Sequence, residues 1–177
     1  GTPVTPPAPG EDEPEQPSFT DVASGAWYTD AVNYVVANGL MEGTSTTTFE
    51  PDATMTRSMV WAILARIDGE AVTGGSWVDI ARDWAMENGV SDGTDPNGSV
   101  TREQLATMLW RYAGEPATAA NLAGYSDGAS VRAYAVDAMS WCVEHMIITG
   151  VTDTTLVPQG TATRAQCATM LMRFVER

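Results

Sequence analysis

The chain contains 177 residues, of which nine are positively charged and 23 are acidic, so its formal net charge at neutral pH is −14. All nine positive residues are arginines, and a strongly acidic chain without lysine offers no polybasic surface to nucleic acid or to an anionic membrane. No apolar stretch approaches the roughly 20 residues that a membrane-spanning helix requires, so we expect no membrane insertion.

Residues 1–18 are rich in proline and carry four acidic side chains, Glu11, Asp12, Glu13 and Glu15. This segment has no apolar periodicity and buries too little surface to offset the entropy lost on ordering. We predict a linker that is separate from the folded domain. The sequence begins without methionine and without a charged-then-apolar leader, so we expect it to be a piece or a processed form of a longer protein.

An internal repeat organises residues 19–177. A threonine-arginine pair occurs three times, each time at the start of an amphipathic pattern, and a second arginine follows nine residues after the first. The pairs are Thr56-Arg57, Thr101-Arg102 and Thr163-Arg164, and the later arginines are Arg66, Arg111 and Arg173. The flanking sequence aligns as three copies, at about 19–70, 77–114 and 125–177.

The first copy opens with an aromatic-x-aspartate motif at residues 19–21 and continues into a helix that ends at Asn38-Gly39. Glycine after the last turn can take the left-handed conformation, which is a common helix stop. A loop containing Gly43 follows, with room for a short β pair. The second helix starts at Thr56, and its apolar residues recur at i, i+3 or i+4, and i+7, which predicts one buried stripe.

The second copy is the short one. We align its residues 77–79 with the opening motif, which leaves this copy without a counterpart of Trp27-Tyr28 and with a shortened first helix. Its loop, which contains Gly93, is also shorter than that of the first copy. The third copy keeps the full length and opens at residues 125–127.

Each copy therefore predicts a helix, a loop and a second helix. Two helices alone have too small a core to be stable, so the three copies should associate. We predict an all-α fold in which three helix-loop-helix repeats form a pseudo-threefold bundle, with short β pairs in the loops. Cys142 and Cys167 align with apolar residues of the other copies, so we expect two buried free thiols.

The threonine of each pair sits where a helix N-cap belongs, and Thr101 with Gln104 and Thr163 with Gln166 match the capping box. Arginine directly after the cap is unexpected, because a helix N-terminus carries roughly half a positive charge and favours acidic residues. Each arginine therefore needs an anion nearby.

Two sources of that anion are open. It could be internal, from Asp52 beside Arg57 or from the repeated aspartates Asp21, Asp79 and Asp127. It could also be a ligand, because free helix N–H groups together with a guanidinium group make a carboxylate or phosphate site.

The order of these motifs resembles the S-layer homology family, whose repeats usually occur in threes. The resemblance rests on the aromatic-x-Asp, Trp-Tyr, Asn-Gly, Gly-Thr and Thr-Arg motifs and covers residues 19–177. It implies an extracellular module that holds an exported protein non-covalently on the bacterial cell wall. The implied partner is an acidic secondary cell wall polysaccharide, often ending in a pyruvylated sugar, bound in grooves between repeats.

The resemblance also implies which residues bind. The arginines of the repeated pair carry over as the main ligand contacts, and the N-capping threonines, two loop glycines and one aromatic residue join them. The predicted ligand-binding residues are Arg57, Arg102, Arg164, Thr56, Thr101, Thr163, Trp27, Gly43 and Gly93. Since the second copy lacks a counterpart of Trp27 in our alignment, we expect one or two working sites.

The other repeated residues have structural interpretations. The later arginines fall near helix C-termini, where a cation complements the helix dipole. Trp27 and Tyr134 either pack in the core or stack on a sugar face, while Trp84 and Trp141 are expected to pack.

The main alternative is a structural or protein-interaction module with the same fold and no glycan ligand. We expect no enzyme, metal or cofactor role, since His145 is the only histidine and no serine lies in a nucleophile-elbow motif. The loop that begins at Asp95 lacks the glycine and glutamate of a calcium-binding loop. The sequence carries no signal for an oligomeric state.

Overall fold

A computed structural model describes residues 18–177, so the predicted linker lies outside it except for its last residue. Within that range there are six α-helices, two in each copy, and β structure is limited to three isolated bridges. The all-α prediction is confirmed. The helices are α1 (Thr29–Ala37), α2 (Arg57–Ile67), α3 (Trp77–Glu87), α4 (Arg102–Tyr112), α5 (Val136–Glu144) and α6 (Arg164–Glu176).

The second helix of each copy starts at the arginine of the repeated pair and is capped by the threonine before it. Each threonine hydroxyl accepts a hydrogen bond from the backbone N–H three residues further on. The capping boxes predicted for Thr101 with Gln104 and for Thr163 with Gln166 are confirmed. Thr56 caps α2 without a box, because Met59 stands where the other copies have glutamine.

The copies are joined by helix packing that crosses their boundaries. Each second helix packs mainly against the first helix of the next copy, with α2 against α3, α4 against α5, and α6 back against α1. The last of these contacts closes the three copies into a ring, as the predicted pseudo-threefold bundle requires. One core of buried residues runs through all three copies, and its largest fully buried side chains include Trp61, Phe49, Phe174, Leu105 and Leu109.

Backbone hydrogen bonds between copies converge on the starts of the second helices. The first two N–H groups of each second helix donate to carbonyl oxygens of a proline-containing loop in another copy, over 2.8 to 3.0 Å. A helix leaves its first N–H groups without internal partners, so these loops satisfy donors that would otherwise need water or a ligand. The acceptors are Gly98 and Pro96 for α2, Gly160 and Pro158 for α4, and Ala53 and Pro51 for α6.

The opening aspartates of the first and third copies clamp these loops. Asp21 accepts hydrogen bonds from the N–H groups of Phe49 and Glu50, at 2.8 and 2.7 Å. Asp127 accepts the equivalent pair in the third copy, from Leu156 at 2.9 Å and Val157 at 2.8 Å. Burial opposes ionisation of both carboxyl groups, but the amide hydrogen bonds outweigh it, so the pKa of each lies below its usual value.

The alignment of residues 77–79 with this opening motif is wrong. α3 begins at Trp77, so Asp79 lies in its first turn, where it is exposed and pairs with Arg82 at 3.7 Å. The second copy therefore lacks the aspartate clamp.

The first helix of the second copy is not shortened, contrary to our prediction. α3 has 11 residues and α1 has nine. Trp77 and Trp27 each precede the helix-ending asparagine by the same number of residues, so Trp77 is the counterpart of Trp27 that the second copy was expected to lack.

The first helices all end in the left-handed conformation. Gly39 and Gly89 follow the helix-ending asparagines with φ of 67° and 68°, as predicted. Met146 takes the same conformation, φ 57°, after His145 in the third copy. A side chain is strained there, so the third copy keeps the geometry of the stop at an energetic cost that glycine avoids.

Cys142 and Cys167 are buried free thiols, as predicted. Burial raises the pKa of each to about 12, so both remain neutral at physiological pH. They act as small apolar side chains of the core.

Replacing Asp127 by asparagine should lower the free energy of unfolding by about 1 kcal/mol at pH 7, since an amide cannot accept from both loop N–H groups. The folded pKa of Asp127 lies below its unfolded value, so its contribution is present above about pH 4 and is lost as the pH falls through the folded pKa. Urea denaturation at pH 7 and pH 3 should show the difference shrinking at the lower pH. Asp79→Asn is the control, and an equal loss there would restore our original alignment.

Both thiols should resist modification until the chain unfolds. Reaction with a disulfide reagent at pH 8 should be at least about a hundredfold slower in the native protein than in denaturant, because the thiolate is the nucleophile and neither sulfur is exposed. Absorbance of the released thiol measures both rates, and Cys142→Ala separates the two sites. A thiol that reacts as fast in native protein as in denaturant would contradict the buried placement.

Candidate functional site

Three grooves lie between the copies, and each contains one arginine of the threonine-arginine pairs. We name them the Arg57, Arg102 and Arg164 grooves; their cavity volumes are about 420, 360 and 360 Å³. All are built alike, with the arginine from one copy, a loop and second helix from the next, and an aromatic residue from the third. In that order the aromatic residues are Tyr134, Trp27 and Trp77.

The three arginines share one anchor. The Nε of each donates a hydrogen bond to a carbonyl oxygen in the loop of the next copy, and this contact fixes the direction of the guanidinium group. The acceptors are Thr94 for Arg57 at 2.8 Å, Leu156 for Arg102 at 2.8 Å, and Phe49 for Arg164 at 2.7 Å.

Arg57 also has an internal acidic partner. Its Nη2 lies 3.1 Å from Ser91 Oγ and 3.4 Å from Asp92 Oδ1. The expected pairing of Arg57 with Asp52 is therefore wrong, and the carboxylate comes from the second copy.

Arg164 is held by backbone and by an aromatic ring. Its Nη2 donates to the carbonyl oxygen of Glu42 at 2.6 Å, and its guanidinium carbon lies 4.5 Å from the centre of the Phe49 ring. Within residues 18–177 no carboxylate forms a salt bridge with it.

Arg102 is the most buried of the three, with 6% of its surface exposed. Beyond the bond from its Nε, its two terminal nitrogens have no hydrogen-bond partner among residues 18–177, and Arg102 lines the groove that bears its name. Burial lowers the pKa of Arg102, because the side chain is largely removed from bulk water and no carboxylate among residues 18–177 forms a salt bridge with it. Its groove also holds Arg173 and the exposed Trp27.

The predicted internal pairing between these arginines and the repeated aspartates does not occur. The carboxylate oxygens of Asp21 and Asp127 accept hydrogen bonds from loop N–H groups. Their charges affect Arg164 and Arg102 by electrostatic attraction, without a hydrogen bond. The predicted free helix N–H groups are absent too, because carbonyl oxygens and the capping threonines occupy those at the start of each second helix. What faces the grooves is the guanidinium group.

The other predicted binding residues divide into two groups. Gly43 lines the Arg164 groove, where a Cβ would lie 2.5 Å from Phe19 and from the Ser45 carbonyl oxygen. Gly93 is next to two lining residues of the Arg57 groove but does not line it. The threonines Thr56, Thr101 and Thr163 line none of the grooves.

The later arginines belong to the grooves as well. Arg66, Arg111 and Arg173 lie in the last turns of their helices, as predicted, and each also lines a groove. Each groove therefore contains at least two arginines. Nine residues are two and a half helical turns, so the two arginines of one helix lie on opposite faces and line different grooves.

Two aromatic residues stand at the groove edges and not in the core. Trp27 is 67% exposed and Tyr134 is 45% exposed, so the core-packing interpretation of both is wrong. Trp84 and Trp141 are buried, as expected.

Glu103 is a functional candidate that the sequence reasoning missed. It is fully buried, at 0% exposure, in the first turn of α4. Its carboxylate accepts hydrogen bonds from the Arg132 N–H at 3.1 Å and side chain at 3.3 Å, from Tyr134 Oη at 3.4 Å and from Gln159 Nε2 at 3.0 Å. Arg132 and Tyr134 form one wall of the Arg57 groove, so the hydrogen bonds to Glu103 hold that wall in place from the buried side.

Within residues 18–177, no helix is both long enough and apolar enough to cross a bilayer. Across the same range, no group of three or more histidine, cysteine or acidic side chains is arranged to hold a metal ion.

The sequence pattern of the S-layer homology domain matches residues 18–58 and 124–168. These segments cover most of the first and third copies, which have the aspartate clamp, and the second copy lies between them. These two segments of the chain belong to the S-layer homology family.

Three relatives illustrate the similarity. An amylopullulanase of Thermoanaerobacterium thermosulfurigenes is 26% identical over 90% of this chain and 10% of its own length, and the exoglucanase XynX of Acetivibrio thermocellus is 26% identical over 90% of the chain and 16% of its own length. A surface-layer 125 kDa protein of Lysinibacillus sphaericus is 34% identical over 53% of the chain and 10% of its own length. The chain thus spans a small part of each relative.

Two of these relatives are named as enzymes and the third as a surface-layer protein. The segment that they share with this chain therefore occurs in proteins with different activities. The family and the surface-layer relatives place the chain among proteins attached to the cell surface or cell wall.

Glu103→Ala should lower the free energy of unfolding by about 2 kcal/mol, because it leaves several donors without their acceptor in a buried place. Arg132 is 60% exposed at its side chain and can regain water, which keeps the loss below that of a fully buried ion pair. Thermal unfolding measures the change. Glu70→Gln, at an exposed position, should leave stability within about 0.5 kcal/mol, and a similarly small change in Glu103→Ala would show that the carboxylate holds nothing in place.

Proposed function

We propose that this module anchors a longer exported protein to the bacterial cell wall by binding an acidic secondary cell wall polysaccharide, with a pyruvylated sugar as the favoured group. The single observation that carries the proposal is Arg102, a buried cation that lines a groove and whose two terminal nitrogens have no hydrogen-bond partner among residues 18–177.

A carboxylate is the group that best complements Arg102. Two parallel N–H donors of a guanidinium fit the two oxygens of a carboxylate, and such charged pairs are short and strong. A partly dehydrated arginine is also less screened by salt than an exposed one, so the contact would persist at physiological ionic strength.

The rest of the Arg102 groove suits a sugar. Trp27 offers an exposed aromatic face on which the apolar side of a sugar ring could lie. Gln166 and Thr169 supply polar side chains, and Arg173 supplies a second cation. The Arg57 and Arg164 grooves have the same plan, but their arginines donate a second side-chain hydrogen bond to protein atoms.

A structural or protein-interaction module without a glycan ligand is the second candidate, favoured by the extent to which the arginines stabilise the loops. Each arginine binds a loop carbonyl of another copy, so some of its contribution is structural whatever the groove binds.

Arg102→Gln should weaken co-sedimentation with purified cell walls by about tenfold or more, because it removes the charged hydrogen bonds to the polysaccharide. Arg173→Gln should weaken binding in the same direction, and it does not touch the Leu156 anchor. Arg82→Gln is the matched control, since it removes one positive charge outside the grooves.

The same assay on walls from which the secondary polymer has been chemically extracted identifies the partner. Binding should be lost with the polymer. If Arg102→Gln and Arg173→Gln bind walls as the unchanged protein does while Arg102→Gln lowers the melting temperature, the structural module is correct and the anchor is not.

A further inference from the structure

The three grooves differ in the residue that precedes the loop glycine. Glu42 precedes Gly43 in the Arg164 groove, Asp92 precedes Gly93 beside the Arg57 groove, and Thr149 precedes Gly150 in the Arg102 groove. This position therefore carries an acid in two grooves and a neutral side chain in the third.

The acid at this position contacts the groove arginine in one case. Asp92 Oδ1 lies 3.4 Å from Arg57 Nη2, whereas Glu42 meets Arg164 through its backbone carbonyl oxygen. Asp92 is thus the carboxylate of this chain that stands where the proposed ligand would place its own.

We propose that Asp92 is a specificity-determining residue, an internal carboxylate that occupies Arg57 and excludes acidic sugar substituents from the Arg57 groove. The inference rests on the proposed function, since it concerns the same kind of ligand. It assigns the ligand to the Arg102 groove, where Thr149 stands in place of the acid and no carboxylate of residues 18–177 pairs with the arginine.

Asp92 is held in this position independently of Arg57. Its Oδ1 accepts hydrogen bonds from Thr94 N–H at 3.0 Å and from Thr94 Oγ1 at 2.7 Å. Those two hydrogen bonds, ahead of the smaller effects of Arg57 and Arg111, hold the pKa of Asp92 below its usual value. The carboxylate is therefore charged at neutral pH, and it stays at the groove without being drawn there by the arginine.

The location of Asp92 lets it repel a ligand without destabilising the fold. Its side chain is 71% exposed, while that of Arg57 is 13% exposed, so the acid covers the arginine from the solvent side. An arriving carboxylate would have to displace Asp92 and then remain close to its charge. Arg111 and Arg132 also line this groove, so removing the acid would leave three cations facing the ligand.

Asp92→Asn tests the inference, because asparagine keeps the oxygen that Thr94 binds and removes only the charge. The probe is a methyl hexosaminide carrying a pyruvate ketal, titrated by calorimetry. The Arg102 groove is first disabled with Arg102→Gln, so that binding at the Arg57 groove becomes visible. Asp153→Asn, which lines none of the three grooves, controls for the change in net charge.

We expect Arg102→Gln/Asp92→Asn to bind the probe at least about fivefold more tightly than Arg102→Gln alone. Adding Arg57→Gln should remove the gain, and Asp153→Asn should not produce it. In a chain with Arg102 intact, Asp92→Asn should raise the number of binding sites by one.

The two proposals fail in different ways. If the unchanged protein binds the probe and Asp92→Asn adds nothing, Asp92 is not a specificity determinant and the anchor proposal stands. If the unchanged protein fails to bind but Asp92→Asn binds through Arg57, the assignment of the ligand to the Arg102 groove is overturned and the exclusion by Asp92 is supported. If neither binds, both proposals are wrong.

Discussion

Hydrogen bonds between the start of each second helix and a proline-containing loop of another copy hold the structure together. Each of the three loops accepts three hydrogen bonds from the facing helix start: two from backbone N–H groups and one from the arginine Nε. The arginine side chain is therefore oriented by the same contact that closes the ring. Because helix start, loop and guanidinium group cannot move independently, the grooves exist before any ligand arrives, which reduces the ordering entropy that binding would cost.

This arrangement also explains how a cation can stand at a positively polarised helix end. Loop carbonyl oxygens, with their partial negative charge, lie against both the helix N–H groups and the arginine. They offset the dipole without a formal anion. A carbonyl oxygen compensates less than a full negative charge does. Arg57 has a carboxylate partner in Asp92, whereas Arg102 forms no salt bridge with any of residues 18–177. The sequence predicted that each of these arginines needs an anion. The fold supplies a carboxylate to Arg57, and it supplies only carbonyl oxygens to Arg102 and Arg164.

Much of the fold could be predicted from repetition in the sequence. The threonine caps, the buried second-helix stripes and the two capping boxes follow from local spacing, and the structure confirms them. The second copy was misread because Trp77-x-Asp79 matches the opening motif in composition, although its distance from the helix stop matches Trp27 instead. Distance from a fixed landmark was the better guide.

The site was harder to predict because each groove combines distant parts of the chain. Arg57 meets Asp92, and Glu103 meets Arg132 and Tyr134, through contacts between copies that no local pattern encodes. In the sequence, Glu103 looks like any acidic residue in the first turn of a helix, because nothing local shows that it is buried. Only the packing of the copies shows that its neighbours come from another copy.

The way in which every groove draws on three copies sets the smallest unit that can function. A fragment with two copies would contain helices and a partial core, but in each groove it would lack the arginine, the loop or the aromatic edge. Three copies together, and not a single repeat, form each complete groove.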